Sequence, residues 1–154
     1  MKNRDLKSLE STARAWITHI YEGLPEGKRD WVGIYWKESF LAPETMSTDL
    51  VVGPYVGPLT PHTRIQIGSG LCGLSVSENR TVNVSDVRAE PLFLACSTET
   101  RSEIVIPIRL RTGEVVGELD IDSNQIGSFT ADDQKSLEEE VKKFSELLSA
   151  LAEM

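Results

Sequence analysis

The sequence predicts an α/β domain in which a six-stranded sheet is framed by one helix at each end of the chain. Three observations carry that prediction. Apolar residues recur at three- and four-residue steps near both termini, the stretch between them changes to short β-rich runs, and those runs are punctuated by Gly, Pro, Asn and Asp. A chain of 154 residues suits one compact core, so a single domain over 1–154 is expected.

The opening helix is read over residues 3 to 22, where Leu6, Leu9, Ala13, Trp16, Ile17 and Ile20 form an apolar stripe that Gly23 and Pro25 end. The closing helix starts at Thr130 and Asp133, which have the spacing of a capping box. Leu137, Val141, Phe144, Leu148 and Leu151 then mark its buried face. Between the helices six strands are expected at 31–36, 50–55, 63–67, 81–84, 103–109 and 115–122. The turn Arg111-Thr112-Gly113-Glu114 makes the last two an antiparallel hairpin. Residues 37–49 are polar, contain a Pro and read as a surface loop or flap.

Composition excludes several function classes. The net charge is −8, and the basic residues are scattered without interleaved aromatics, which argues against a nucleic-acid partner. No run approaches the roughly 18 apolar residues of a membrane span. The charged start MKNRDLKSLE lacks the apolar core of a secretory signal, so a cytoplasmic location is expected. In that compartment the two cysteines, Cys72 and Cys96, are expected to be reduced thiols.

The chemistry-bearing residues lie in the second half of the chain. Gly68, Gly70 and Gly73 permit a tight turn into a short helix near Cys72, and a helix N-terminus there would lower the thiol pKa. Cys96 follows an apolar approach and precedes a polar turn. A buried small hydrophobe and a reactive thiol are both open readings of it. In the last strand Glu118, Asp120 and Asp122 share one face by the two-residue period. The hairpin would bring Glu103 beside Asp122, so that repulsion and burial raise at least one carboxyl pKa. Trp31 and Trp36, five residues apart, face opposite sides of a regular strand, each open to a core or a pocket role. His19 and His62 have no Cys or His neighbours at metal spacing, so no metal is expected.

The segments DWVGIYW, VVGPYVG, GSGLCG, SDV, AC, SEIVIP, GELDIDS and SFTADDQ, taken in order, resemble a GAF-domain protein of the free methionine-R-sulfoxide reductase family. The resemblance implies a GAF-like α+β fold: a mostly antiparallel six-stranded sheet with the N- and C-terminal helices packed together on one face. It implies that Cys96 is the catalytic cysteine, that Cys72 is its partner thiol, and that Trp31, Glu103, Asp120 and Asp122 line the substrate pocket, with Glu103 and Asp122 also serving catalysis. It further implies free methionine sulfoxide as substrate, no bound cofactor, a thioredoxin-like external reductant and a possible homodimer.

The implied reaction runs from a Cys96 thiolate attacking the sulfoxide to a Cys96 sulfenic acid, which condenses with Cys72. The chain departs from the family at His62, where a third cysteine is usual, at Ser97, where an acidic residue is usual, in EPLFLAC before the nucleophile, and in the length of 37–49. Two other classes stay open: a GAF module that binds a small ligand without chemistry, and a Cys72–Cys96 thiol switch.

Overall fold

The computed structural model describes residues 3–91 and 98–153, and its helices and strands follow the sequence pattern closely. Helix α1 runs Asn3–Gly23, strand β1 Trp31–Lys37, helix α2 Glu38–Leu41, β2 Leu50–Val56, β3 Arg64–Ile65, helix α3 Gly70–Glu78, β4 Val82–Val84, β5 Ser102–Arg109, β6 Val115–Ser123 and helix α4 Ala131–Ala152. The six strands form one sheet in the order β3-β2-β1-β6-β5-β4, and every pairing is antiparallel.

Helices α1 and α4 cover one face of this sheet. Leu9, Ala13, Ile17 and Ile20 from α1 and Leu137, Val141, Phe144 and Leu148 from α4 merge into one core with Val32, Ile34, Ile104, Ile106, Leu119 and Ile121. Each such fully buried aliphatic side chain contributes about 1.5–3 kcal/mol. Trp16 lies flat on Phe144, with ring centroids 4.1 Å apart and planes 3° from parallel, which joins the two helices. The start of α4 is a true capping box: the Thr130 hydroxyl accepts from the Asp133 amide while the Asp133 carboxylate accepts from the Thr130 amide. None of the described helices is long and apolar enough to cross a membrane.

Two expectations about local structure are revised. The segment 37–49 is not loop throughout, because α2 opens it and packs Phe40 and Leu41 against the helix-side core. The third strand is two residues rather than five, since the Ser69 amide turns back to the Gln66 carbonyl (3.0 Å) and ends the pairing.

Candidate active site

The other face of the sheet is built for something besides packing. On β1 the two-residue period sends Val32, Ile34 and Trp36 to the helices and Trp31, Gly33 and Tyr35 to this second face. The register across β1, β6 and β5 aligns Trp31, Asp122 and Glu103 in one row, Gly33, Asp120 and Val105 in the next, and Tyr35, Glu118 and Pro107 in the third. Helix α3 lies over these rows and supplies Leu71, Cys72 and Val76.

The carboxyl groups of those rows are almost wholly out of solvent: Glu118 is 0% exposed, Asp120 1%, Asp122 3% and Glu103 5%. The Cys72 sulfur and one oxygen each from Glu103 and Asp120 lie within 4.8 Å of one another. A divalent cation could bridge that spacing only by displacing the protons those groups hold. Both oxygens of Glu118, one of Asp120 and one of Asp122 have no hydrogen-bond partner among the described residues.

Burial raises the pKa of all four acids, and their arrangement ranks them. Glu103 is held well above the usual carboxylate range by burial, then by Asp120 and Asp122, and both of its carboxyl contacts keep its proton on. Asp122 is also pushed well up, by burial first and then by Asp120, while its contact with Glu103 eases it. Asp120 is raised less, because it accepts from both Glu103 and Asp122. Asp120 is thus the least raised of the trio. Glu118 is pushed well up by burial and by Asp120, while Cys72 eases it.

Cys72 corrects an expectation. It sits in the first turn of α3, but its thiol is pushed well above the ordinary value by burial and by Asp120, Glu118, Glu103 and Asp122. A helix N-terminus acts over about one turn and favours the thiolate by a modest amount. Four buried acids outweigh it.

Aromatic rings close one side of the site. Trp31 stacks on Tyr55 at 5.0 Å and on Tyr35 at 5.9 Å, and the Tyr35 hydroxyl donates to the His62 carbonyl at 2.7 Å. The indole lies across β1 only because residue 33 is glycine: a Cβ there would stand 2.5 Å from the Trp31 ring and 2.5 Å from Tyr55. Gly33→Ala is accordingly expected to destabilise the chain by about 1–3 kcal/mol and to alter the near-ultraviolet dichroism of Trp31. A denaturation midpoint within error of the wild type would remove the indole's need for that space.

Two hollows lie on this face among the described residues. The outer is lined by Asp30, Trp31, Leu59, Glu99, Asp122 and Asn124. The inner is lined by Tyr35, His62, Leu71, Cys72, Glu103 and Asp120. The strand ends that carry Glu103 and Asp122 are pinned by buried hydroxyls. Ser102 donates to the Gln125 carbonyl at 2.5 Å, Ser123 donates to the Gly27 carbonyl at 2.7 Å, and the Ser123 and Ser128 hydroxyls are 2.6 Å apart.

This arrangement has known counterparts. The family model of the GAF domain matches residues 12–150. The chain belongs to the GAF-domain family. Several of its relatives within that family are free methionine-R-sulfoxide reductases. The free methionine-R-sulfoxide reductase of Escherichia coli is 30% identical, covering 96% of this chain and 86% of that protein. The type II free methionine-R-sulfoxide reductase of Thermoplasma acidophilum superposes with a TM-score of 0.78 at 35% identity, covering 94% of this chain and 92% of that one. The reductase of Neisseria meningitidis, solved with its substrate, superposes with a TM-score of 0.71 at 34% identity, covering 90% and 80%. GAF domain-containing protein A of Dictyostelium discoideum is 37% identical, and the chain spans 65% of its length.

Of the site residues read from the sequence, the GAF fold gathers Trp31, Cys72, Glu103, Asp120 and Asp122 on one face of the sheet. Cys96, the candidate nucleophile, lies outside the described residues. Sequence reasoning placed Glu118 on the acidic face without including it in the site, and it missed Gly33, Tyr35 and Tyr55. The same two-residue period from Trp31 marks Gly33 and Tyr35. Nothing in the sequence marks Tyr55, which reaches Trp31 only through the pairing of β1 with β2. His62 lines the inner hollow with Cys72.

Proposed function

We propose that this GAF protein reduces the R epimer of free methionine sulfoxide, using Cys96 as nucleophile and Cys72 as the second thiol. The observation that carries the reading is the buried row of Trp31, Asp122 and Glu103, with Asp120 and Cys72 beside it, in a chain that aligns with reductases over most of their length. An apolar ring next to three acids of graded strength suits a zwitterion that has an apolar sulfur end and an ammonium. Trp31 packs on the methyl end, and Asp120, the least raised of the trio, faces the ammonium.

Glu103 is the general acid. Burial, Asp120 and Asp122 hold its proton on well above the usual carboxylate range. The Cys96 thiolate attacks the sulfoxide sulfur as Glu103 protonates the oxygen. The S–O bond breaks, methionine leaves, and the oxygen ends on Cys96 as a sulfenic acid. Cys72 then displaces water from that sulfur to form a disulfide, which a thioredoxin-like dithiol returns to two thiols.

The test is stereospecific. With dithiothreitol the purified protein should convert the R epimer to methionine, and Cys96→Ser should abolish the reaction. Cys72→Ser should keep one turnover and lose recycling by thioredoxin. A wild-type protein inert toward the R epimer overturns the assignment.

A further inference from the structure

Cys72, Glu103 and Asp120 converge on one small void. Their sulfur and one oxygen from each acid lie within 4.8 Å of one another, and all three residues line the inner hollow. That hollow has room for about one water-sized body, and it reaches the surface at the half-buried His62. No Lys or Arg lines it. Asp120 is 1% exposed, and one of its oxygens has no hydrogen-bond partner among the described residues. A buried polar atom left in that state marks a place for a water or an ion. Glu118 and Asp122 also carry unpartnered oxygens, but neither lines the inner hollow.

We propose that Cys72, Glu103 and Asp120 form a site for a thiophilic divalent cation of the zinc class, which on binding shuts the catalytic pocket. The donor set selects the ion. A sulfur beside two carboxylate oxygens favours zinc-class cations, whereas magnesium and calcium take oxygen ligands. Three protein ligands with an open fourth position are a usual zinc arrangement, and small side-chain movements bring all three donors to ordinary bond lengths of about 2.0–2.3 Å. Histidine and cysteine spacing does not reveal this set, because its members come from α3, β5 and β6.

The protons on these groups do not bar the ion. A bound cation reverses the local preference for neutral forms, and a coordinating thiol is deprotonated outright. Each ligand that carries a proton gives it to solvent, three bonds to the ion form, and no electron moves. Binding itself is independent of the reductase reading, whereas its effect on turnover rests on that reading. There the ion ties up the general acid Glu103, the ammonium acceptor Asp120 and the second thiol together.

Cobalt reports the sulfur bond directly. With Cys96→Ser, Cys72 is the sole thiol of the chain. Added Co²⁺ is expected to give a sulfur-to-cobalt charge-transfer band in the near ultraviolet, which Zn²⁺ displaces and Mg²⁺ does not. Adding Cys72→Ser should abolish the band. Asp120→Asn should weaken Co²⁺ binding by about 100-fold or more, since loss of even an outer-shell partner costs about 10–100-fold. Asp30→Asn, which removes a charge at the outer hollow, should leave the titration unchanged. A Cys96→Ser chain without the band overturns the site, and so does an Asp120→Asn titration equal to that of its parent. One measurement needs no substitution: Zn²⁺ should raise the melting temperature of the parent chain and Mg²⁺ should not. Equal midpoints with and without Zn²⁺ also overturn the site.

The block on turnover has its own test. Without added dithiol, the parent chain preloaded with one equivalent of Zn²⁺ should form no methionine in its first turnover, and a chelator should restore it. A first turnover that Zn²⁺ leaves intact overturns the block. A parent chain that forms no methionine even without Zn²⁺ counts against the reductase reading alone, and the cobalt band still decides the site.

Discussion

Glu103→Gln is expected to lower turnover of methionine sulfoxide by about 10²–10⁴-fold at pH 7, because an amide can still hydrogen-bond the sulfoxide oxygen but cannot give it a proton. Glu103→Asp, which keeps the proton and shortens the reach, should lie between. The wild-type pH profile should separate this role from simple binding. Burial and the flanking Asp120 and Asp122 hold Glu103 protonated well above the usual carboxylate range, so the alkaline fall in kcat should follow its ionisation. In Glu103→Gln that limb should vanish, leaving a lower rate that is flat over the same interval. A Gln variant with wild-type kcat and a raised KM would make Glu103 a binding group only.

The second large effect concerns folding. Glu103, Glu118 and Asp122 are raised well above their ordinary values, and Asp120 is raised less. When the folded-state pKa exceeds the unfolded one, the folded chain binds the extra proton between the two values, and stability falls as pH rises through that window. Below about pH 4 both states hold these protons and the penalty is absent. It grows towards neutral pH at about 1.4 kcal/mol for each unit of pKa elevation per site, and Cys72 extends the trend into the alkaline range.

Asp133, which Lys28 lowers, acts in the opposite sense at acid pH, but it is only partly buried, so solvent screening keeps its contribution small. The ligand-free protein is therefore expected to be most stable in mildly acidic buffer and to lose melting temperature between pH 5 and pH 8. Each kcal/mol lost moves the midpoint by about 2–4 °C in a chain of this size. Asp122→Asn should flatten that slope and melt higher than wild type at pH 8. Equal slopes for the two proteins would show that the buried acids do not carry the charge inferred for them.

Much of this site was legible in advance because β periodicity is a strong local code. The alternation in GELDID puts Asp120 and Asp122 on one face, and the turn at 111–114 sets the hairpin that seats Glu103 opposite Asp122. The terminal helices were equally plain, since Trp16 and Phe144 each belong to a 3.6-residue stripe. What escaped notice depends on elements distant in the chain. The depth of Glu118 is set by α3 lying over it, and no alternation within β6 encodes that cover. The reactivity of Cys72 was read from its own helix, whereas the dominant field comes from side chains more than thirty residues later that the sheet brings alongside. The shortness of β3 and the turn of helix at Glu38–Leu41 follow from competition between local turns and pairing, which short apolar runs leave undecided.

The parity of the central strands also constrains how this chain can change. In β1, β5 and β6 neighbouring residues belong to different compartments, the helix-side core and the acidic hollow. Inserting or deleting one residue in any of them would turn leucines and isoleucines into the hollow and carboxylates into the core. Such a change ruins stability and chemistry in one step. Length variation is thus channelled into the connections, and one of them, 57–63, adjoins the aromatic edge of the site through Leu59 and Thr60. Divergence in what the hollow accepts is expected to accumulate in that connection while the three strands keep their length.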